Sequence, residues 1–236
     1  MEEVLRGITL SAVNYGENDK ILNIFTLENG PVSARIKGVK KAGAKLKFAA
    51  EPFCFAEFVF SKSGDRRTVI GATLIDSFYP LREDIKKFFC GAAVLEFLRK
   101  FVKEGMVSAA SFSLSCDALK NMAYGDRDPA ETLTGYLLDM LNLSGYGLDL
   151  SDCAVCGENK TEKVFFDYSM GRFLCANCFA GRGREIDKNT YICLKNIAAR
   201  KEYDALYLKK CLMLLDYYIT NKTDEEIKSL AQAISV

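Results

Sequence analysis

The chain has 236 residues, 49% of them hydrophobic and 27% charged, with a formal net charge of +1 and no histidine at all. This suits a soluble globular protein of one large or two smaller domains and confines any nucleic-acid surface to a local patch. The missing imidazole excludes zinc deaminase signatures, HExxH hydrolases, and Ser-His-Asp and Cys-His nucleophile pairs together.

The first residues show no basic region followed by an apolar stretch, so no signal peptide is expected. The most apolar segment, 88–98, is too short to span a bilayer and carries Glu96. A soluble cytosolic protein follows as the expectation. Residues 1–80 then read as β structure. Five short runs rich in β-branched and aromatic residues fall at 8–13, 21–27, 32–39, 53–60 and 68–75. Turn chemistry separates them at Asn14-Tyr15-Gly16, Glu28-Asn29-Gly30-Pro31 and Ser61-Lys62-Ser63-Gly64-Asp65. Five strands without a helix-length interruption suit a small closed or half-open barrel, and an SH3-like barrel fits the spacing nearly as well.

The third run is basic. Arg35, Lys37, Lys40, Lys41, Lys45 and Lys47 fall in one stretch, with no acidic residue between Glu28 and Glu51. The two-residue strand period places Arg35 and Lys37 on the outer face while Val32, Ala34 and Ile36 enter the core. Gly38, Gly43 and the neighbouring alanines predict a small, mobile loop able to mould to a phosphate backbone without base specificity. Arg66 and Arg67 extend the patch from the next turn, and Tyr15 and Phe48 offer rings for base stacking. The plainer reading is a solvated lysine-rich loop that guards a barrel edge. No Walker A sequence and no KxDG tetrapeptide occurs, which argues against a nucleotide-binding or ligase-type enzyme.

From Arg82 the period turns helical. Ile85, Phe88, Phe89, Ala92 and Leu95 line one face, and Gly105 acts as a stop. A second helix is expected over 108–124. A third opens on Asp128, Pro129 and Glu131, a strong start signal, and runs to Gly145. Further helices are expected at 187–201, 203–221 and 224–234. Apolar residues on 203–219 are read as core, with a partner-docking groove as the alternative.

Between these helices stand Cys153-x-x-Cys156 and Cys175-x-x-Cys178, with eighteen residues separating the pairs. This is the spacing of a four-thiolate zinc site, with 164–166 and 172–174 as hairpin strands and Ser169-Met170-Gly171 at the turn. Four thiolates fill a tetrahedral shell, so the ion is structural, stapling a hairpin that lacks a core of its own. The remaining Cys54, Cys90, Cys116, Cys193 and Cys211 read as reduced core thiols. Arg182, Arg184 and Arg200 either extend a nucleic-acid track or balance local acids.

Several of these segments together resemble the RecO family of bacterial recombination mediators. The resemblance is carried by Asn14-Tyr15-Gly16-Glu17-Asn18-Asp19-Lys20-Ile21-Leu22, by Lys37-Gly38-Val39-Lys40-Lys41 and by Glu51-Pro52-Phe53. It continues in Phe78-Tyr79-Pro80-Leu81-Arg82-Glu83-Asp84 and in 141–147 followed by the first cysteine pair. The ordered set covers nearly the whole chain. One departure is Ala42-Gly43-Ala44-Lys45-Leu46, where family members usually carry a proline and a serine among the basic residues.

The resemblance implies an α+β protein. An N-terminal OB-fold DNA-binding β-barrel (1–80) precedes an α-helical domain (81–236), into which a four-cysteine zinc module is inserted at about 150–182. It implies no covalent catalysis. Such proteins bind single- and double-stranded DNA, anneal complementary strands, and with RecR help RecA displace single-strand-binding protein. Localisation would be cytoplasmic, bacterial and nucleoid-associated, with no membrane partner. By this resemblance Arg35, Lys37, Lys40, Lys41, Lys45, Lys47, Arg66 and Arg67 contact the DNA backbone, and Cys153, Cys156, Cys175 and Cys178 hold a structural Zn²⁺. A protein adaptor with little DNA binding of its own is the alternative.

Overall fold

A computed structural model describes residues 2–64, 66–103, 105–159, 162–181 and 183–236. Asp65 in the fourth turn and Arg182 beside the cysteines therefore lie outside the described residues. The chain divides into two compact units, Met1–Gly125 and Asp126–Val236.

In the first unit, β1 (Glu2–Tyr15), β2 (Asp19–Thr26), β3 (Gly30–Ile36), β4 (Phe55–Ser63) and β5 (Arg66–Asp76) close a barrel in the order β1-β2-β3-β5-β4. β1 is long enough to pair with both β2 and β4, bending at a register shift between Thr9 and Ser11. That bend lets one strand serve both neighbours. β3 meets β5 in parallel, with Arg35 opposite Thr68. This closure is OB-like and decides between the two barrels compatible with the strand spacing. Leu22, Ile24, Val32, Ala34, Ile36, Phe58, Phe60 and Val69 are among the side chains that fill it.

The strand expected over 8–13 begins six residues earlier. Glu2, Glu3 and Arg6 carry no apolar alternation, yet their backbone is needed to pair with Ser61, Phe60 and Glu57 of β4. Residues 53 and 54 are not strand, because a one-turn 3-10 helix at Lys47–Ala50 leads into them.

Helices α1 (Ile85–Phe101) and α2 (Ala109–Tyr124) belong to the same unit as the barrel. Asp84 and Ser108 cap them through Lys87 N–H and Ser111 N–H. Phe112 packs on Phe25 and Phe55 of the barrel's outer face at centroid distances of 5.6 and 5.8 Å, and Phe88 meets Phe53 at 5.9 Å. Gly91 permits this approach, since a Cβ there would sit 3.0 Å from the Phe53 ring.

In the second unit, α3 (Pro129–Leu143), α4 (Lys188–Ala198), α5 (Leu208–Thr223) and α6 (Lys228–Ser235) enclose a separate core. Leu208, Cys211, Leu212, Leu215, Tyr218 and Ile219 of α5 are buried, so the apolar face of 203–219 is core. The last helix starts at Lys228 rather than 224, because Asp224 adopts a left-handed conformation (φ 56°) that ends α5. The cysteine segment carries β6 (Val164–Asp167), β7 (Arg172–Cys175) and the unforeseen β8 (Arg184–Ile186), in the order β7-β6-β8. Among the described residues no helix is long and apolar enough to cross a membrane.

Candidate nucleic-acid interface and metal centre

The outer row of β3 leads from Ser33 through Arg35 to Lys37, where the strand ends and the basic loop begins. Lys37, Lys40, Lys41, Lys45 and Lys47 are all solvent-exposed. Their backbone is not the free loop that its glycines and alanines suggest. Successive tight turns close from Lys41 N–H to Gly38 O, Ala44 N–H to Lys41 O and Lys47 N–H to Ala44 O. Gly38 and Gly43 take positive φ at the corners, and Val39 is buried in the barrel. Lys40 N–H also donates to Asn18 O, tying the loop to the β1–β2 turn. At the far end Thr9 Oγ1 donates to Ala49 O at 2.8 Å, and Phe53 N–H donates to Thr9 O. The lysines thus project from a fixed ledge.

Asp19 organises the near end of that ledge. Its carboxylate accepts from Gly38 N–H at 2.7 Å and from Arg35 Nε at 2.8 Å. The Gly38 N–H, then the Arg35 contact, hold the Asp19 carboxyl below its usual range. Arg35 also lies over the Tyr15 ring, 4.9 Å from its centroid, so it is engaged from two sides. Asp19 escaped the sequence reading because its partnership depends on hairpin register, which places Ile21 opposite Arg35.

The other candidates are distributed unevenly. Arg66 is exposed on the outer face of β5, two residues before Thr68, the parallel partner of Arg35. At about 3.3 Å per residue, it stands roughly 13 Å from Lys37 along the strands. Arg67 turns the other way, is mostly buried, and pairs with Glu3 at 3.0 Å. Burial favours a neutral Glu3, but hydrogen bonds from Arg67 and Asn29 outweigh it and depress the carboxyl. Tyr15 is half exposed, whereas Phe48 is partly buried and packs against the barrel core. Arg184 is exposed and lies over Tyr217 at 4.9 Å, and Arg200 is exposed at a left-handed position (φ 55°).

In the second unit the four cysteines converge. The Sγ atoms of Cys153, Cys156, Cys175 and Cys178 all lie within 4.8 Å of one another. Cys156 and Cys175 stand 3.7 Å apart. A tetrahedral ion with metal–sulfur bonds of about 2.3 Å has sulfur–sulfur edges of about 3.8 Å, so the cluster fits one metal ion. The distance is far beyond the roughly 2.05 Å of a disulfide.

Local backbone makes the cage. Gly157 N–H closes the first turn onto Cys153 O, with Gly157 at φ 73°, and Cys178 N–H closes the second onto Cys175 O. Ala154 N–H reaches Phe173 O, laying the first cysteine loop along the free edge of β7. Burial works against a Cys153 thiolate, but backbone N–H groups of Cys175, Cys156 and Val155 prevail and bring the thiol down to about 6. Crowding by the Cys156 and Cys175 sulfurs pushes Cys178 up to about 12. Four adjacent thiolates repel one another until a cation neutralises them.

The hairpin beneath has two faces. Phe165 and Leu174 face the cysteine loops, with Phe179 stacked on Phe165 at 4.0 Å. Phe166 and Phe173 instead meet Tyr218 of α5 and Tyr191 of α4 at 5.7 and 4.6 Å. The expectation of a coreless hairpin is therefore half corrected: one face shares the helical core, and only the other depends on the cysteines. Asp167 shapes the turn, accepting from Ser169 N–H, Ser169 Oγ and Met170 N–H. Lys195 of α4 holds Asp152 at 2.7 Å, fixing the residue before Cys153. Cys193 and Cys211 are buried free thiols outside the cluster.

Family models described as "Recombination protein O N terminal" and "Recombination protein O C terminal" match residues 1–78 and 82–231. A protein named "DNA repair protein RecO" from Desulforamulus reducens is 32% identical over 175 residues, covering 74% of this chain and 68% of its own length. Its namesake from Pelotomaculum thermopropionicum is 29% identical over 234 residues, covering 95% and 90%. That from Acetivibrio thermocellus is 28% identical over 172 residues, covering 73% and 68%. On the matched family models, the OB-like barrel and the four-cysteine centre, the chain belongs to the RecO family of DNA repair proteins.

Proposed function

We propose that this protein is a recombination mediator whose barrel, at 1–80, binds the phosphate backbone of single- and double-stranded DNA. One observation carries the reading: five exposed lysines stand on a turn-built ledge whose sequence holds no acidic residue. Lys37, Lys40, Lys41, Lys45 and Lys47 neutralise phosphates, and Arg66 adds charge farther along the face. Arg35 and Arg67, each paired with a carboxylate, position the surface and contribute less charge to DNA. Annealing then follows from holding two strands together with their charge screened.

The family is not one of enzymes, and the mediator role needs no covalent step. In this proposal the protein acts with RecR in the bacterial cytoplasm, on nucleoid DNA. It opens DNA coated by single-strand-binding protein to RecA. Cys153, Cys156, Cys175 and Cys178 hold Zn²⁺, which supplies a closed tetrahedral staple and no open coordination position.

The test is a salt titration of binding to labelled single-stranded DNA, comparing the intact protein with a Lys37, Lys40, Lys41, Lys45→Ala variant. Engagement of four to six phosphates gives a slope of log affinity against log salt of about −3 to −4, and the variant's slope should be shallower. An unchanged slope would move DNA off the barrel loop. No binding by either protein would favour the adaptor reading.

A further inference from the structure

Beside the barrel, within the first unit, a cleft of about 300 Å³ opens between the β2–β3 hairpin and the last turn of α1. Its floor is uncharged, with Asn23 and Ser33 directly paired across the two strands. Its rim is basic: Arg99, Lys100 and Lys103 converge there, and among the described residues no carboxylate lines it. The α1–α2 connection fixes the hairpin, since a Cβ on Gly30 (φ +67°) would come within 2.3 Å of Met106 O.

Basic residues at a helix C-terminus commonly serve only the helix dipole, and Arg99 makes a weak contact with Glu96 at 3.8 Å. Dipole compensation alone does not explain why three cations meet over an uncharged floor that carries Asn23 and Ser33 among apolar side chains. Nor does it explain the direction of the cleft. Ser33, on its floor, begins the outer row of β3 that continues through Arg35 to Lys37. Four residues at about 3.3 Å each separate the cleft from the ledge by roughly 13 Å, with Arg35 between them.

We propose that this cleft is a second phosphate-backbone site, holding a single DNA strand that runs from the lysine ledge along β3 to Arg99 and Lys103. The inference rests on the ledge as the first site and assigns the strand its path and footprint. A strand too short to reach the cleft gains nothing from it.

The experiment compares oligothymidylates of about 3 and about 16 nucleotides; at about 3.4 Å per stacked nucleotide the first cannot bridge ledge and cleft, while the second fills the longest single-barrel site. An Arg99→Gln, Lys103→Gln variant and the ledge variant are titrated with salt beside the unaltered protein. Both replaced residues are exposed, and thermal unfolding confirms that the variant remains folded. The cleft variant should bind the short strand as before. For the long strand its salt slope should be shallower by about 1.4, or about 0.7 for each of two lost phosphates. Unchanged slopes at both lengths, with the ledge variant still impaired, would overturn the cleft and leave the ledge standing. An impaired cleft variant beside an unaffected ledge variant would remove the ledge and, with it, the strand path proposed here. Loss of polyglutamate binding without loss of DNA binding would assign the cleft to an acidic protein segment and overturn the proposal.

Discussion

The barrel and the cysteine module solve one problem, holding short strands in place, by opposite means. Among the described residues the barrel's interior gathers fourteen buried side chains, whereas the cysteine face of the hairpin gathers four, two of them cysteines. A closed barrel of aliphatic and aromatic side chains is stable by apolar burial. A three-stranded patch with one covered face carries on the other four converging thiols that can hold a metal ion in place of a core. Metal ligation and hydrophobic mass are thus alternatives, and a domain's size decides between them.

The largest expected effect tests the metal side. Stripping the ion with a chelator, or replacing Cys175 with Ser, should release the loops around 150–159 and 175–181. Structural zinc contributes about 10–16 kcal/mol where a finger folds only with its ion, and that range is a ceiling here. Phe166 and Phe173 remain anchored to Tyr218 and Tyr191. Hydrogen exchange should show lost protection in the cysteine loops with the barrel amides unchanged. Barrel amides exchanging faster would break the contrast between the units.

Next comes the barrel's own interior. Phe58→Ala removes a fully buried ring and should cost about 3–5 kcal/mol. Denaturant melts should show this loss with and without chelator alike. Smaller is Gly171→Ala at the hairpin turn. At φ +64° the alanine is strained by about 1–2 kcal/mol, and its Cβ would approach Tyr218 Oη to 2.6 Å. A lower melting temperature and weaker metal affinity should appear together, and separation of the two would deny that the turn supports the cage.

The smallest effect concerns the ledge clasp. Asp19 has a carboxyl held below the ordinary 3.8, so its contribution is present above that value and is lost as pH falls through the lower folded one. Carboxyl NMR titration of Arg35→Ala should raise the Asp19 pKa only part of the way, because the Gly38 N–H contact remains. Full return to the unperturbed value would assign the effect to Arg35 alone.

Much of this contrast was legible in the residues. The cysteine spacing specified the cage, and alternation in 32–37 specified which face of β3 is basic. What escaped depended on partners distant in sequence. Glu2, Glu3 and Arg6 at the start of β1 look polar and become strand only because β4 lies beside them. Arg184 and Glu185 carry no apolar signal, yet they pair with Phe166 and Phe165. The ledge is rigidified by Asn18, Asp19 and Thr9, none of which shows its role through local pattern. Charge and ligand type are local properties, whereas anchorage is a property of register.

The closure of β1 onto β4 has a consequence for how this molecule meets others. The closed strand order leaves the barrel few lateral edges for another chain to extend by β-augmentation, and the β3–β5 seam, paired over three residues, is its shortest join. In the second unit the edge of β7 is partly occupied by backbone from 149–154, leaving three-residue β8 as the other margin. A margin that short is a poor seed for amyloid-like stacking. Assembly with other proteins is therefore expected mainly through side-chain surfaces, and crowding of this protein carries little risk of strand-to-strand aggregation.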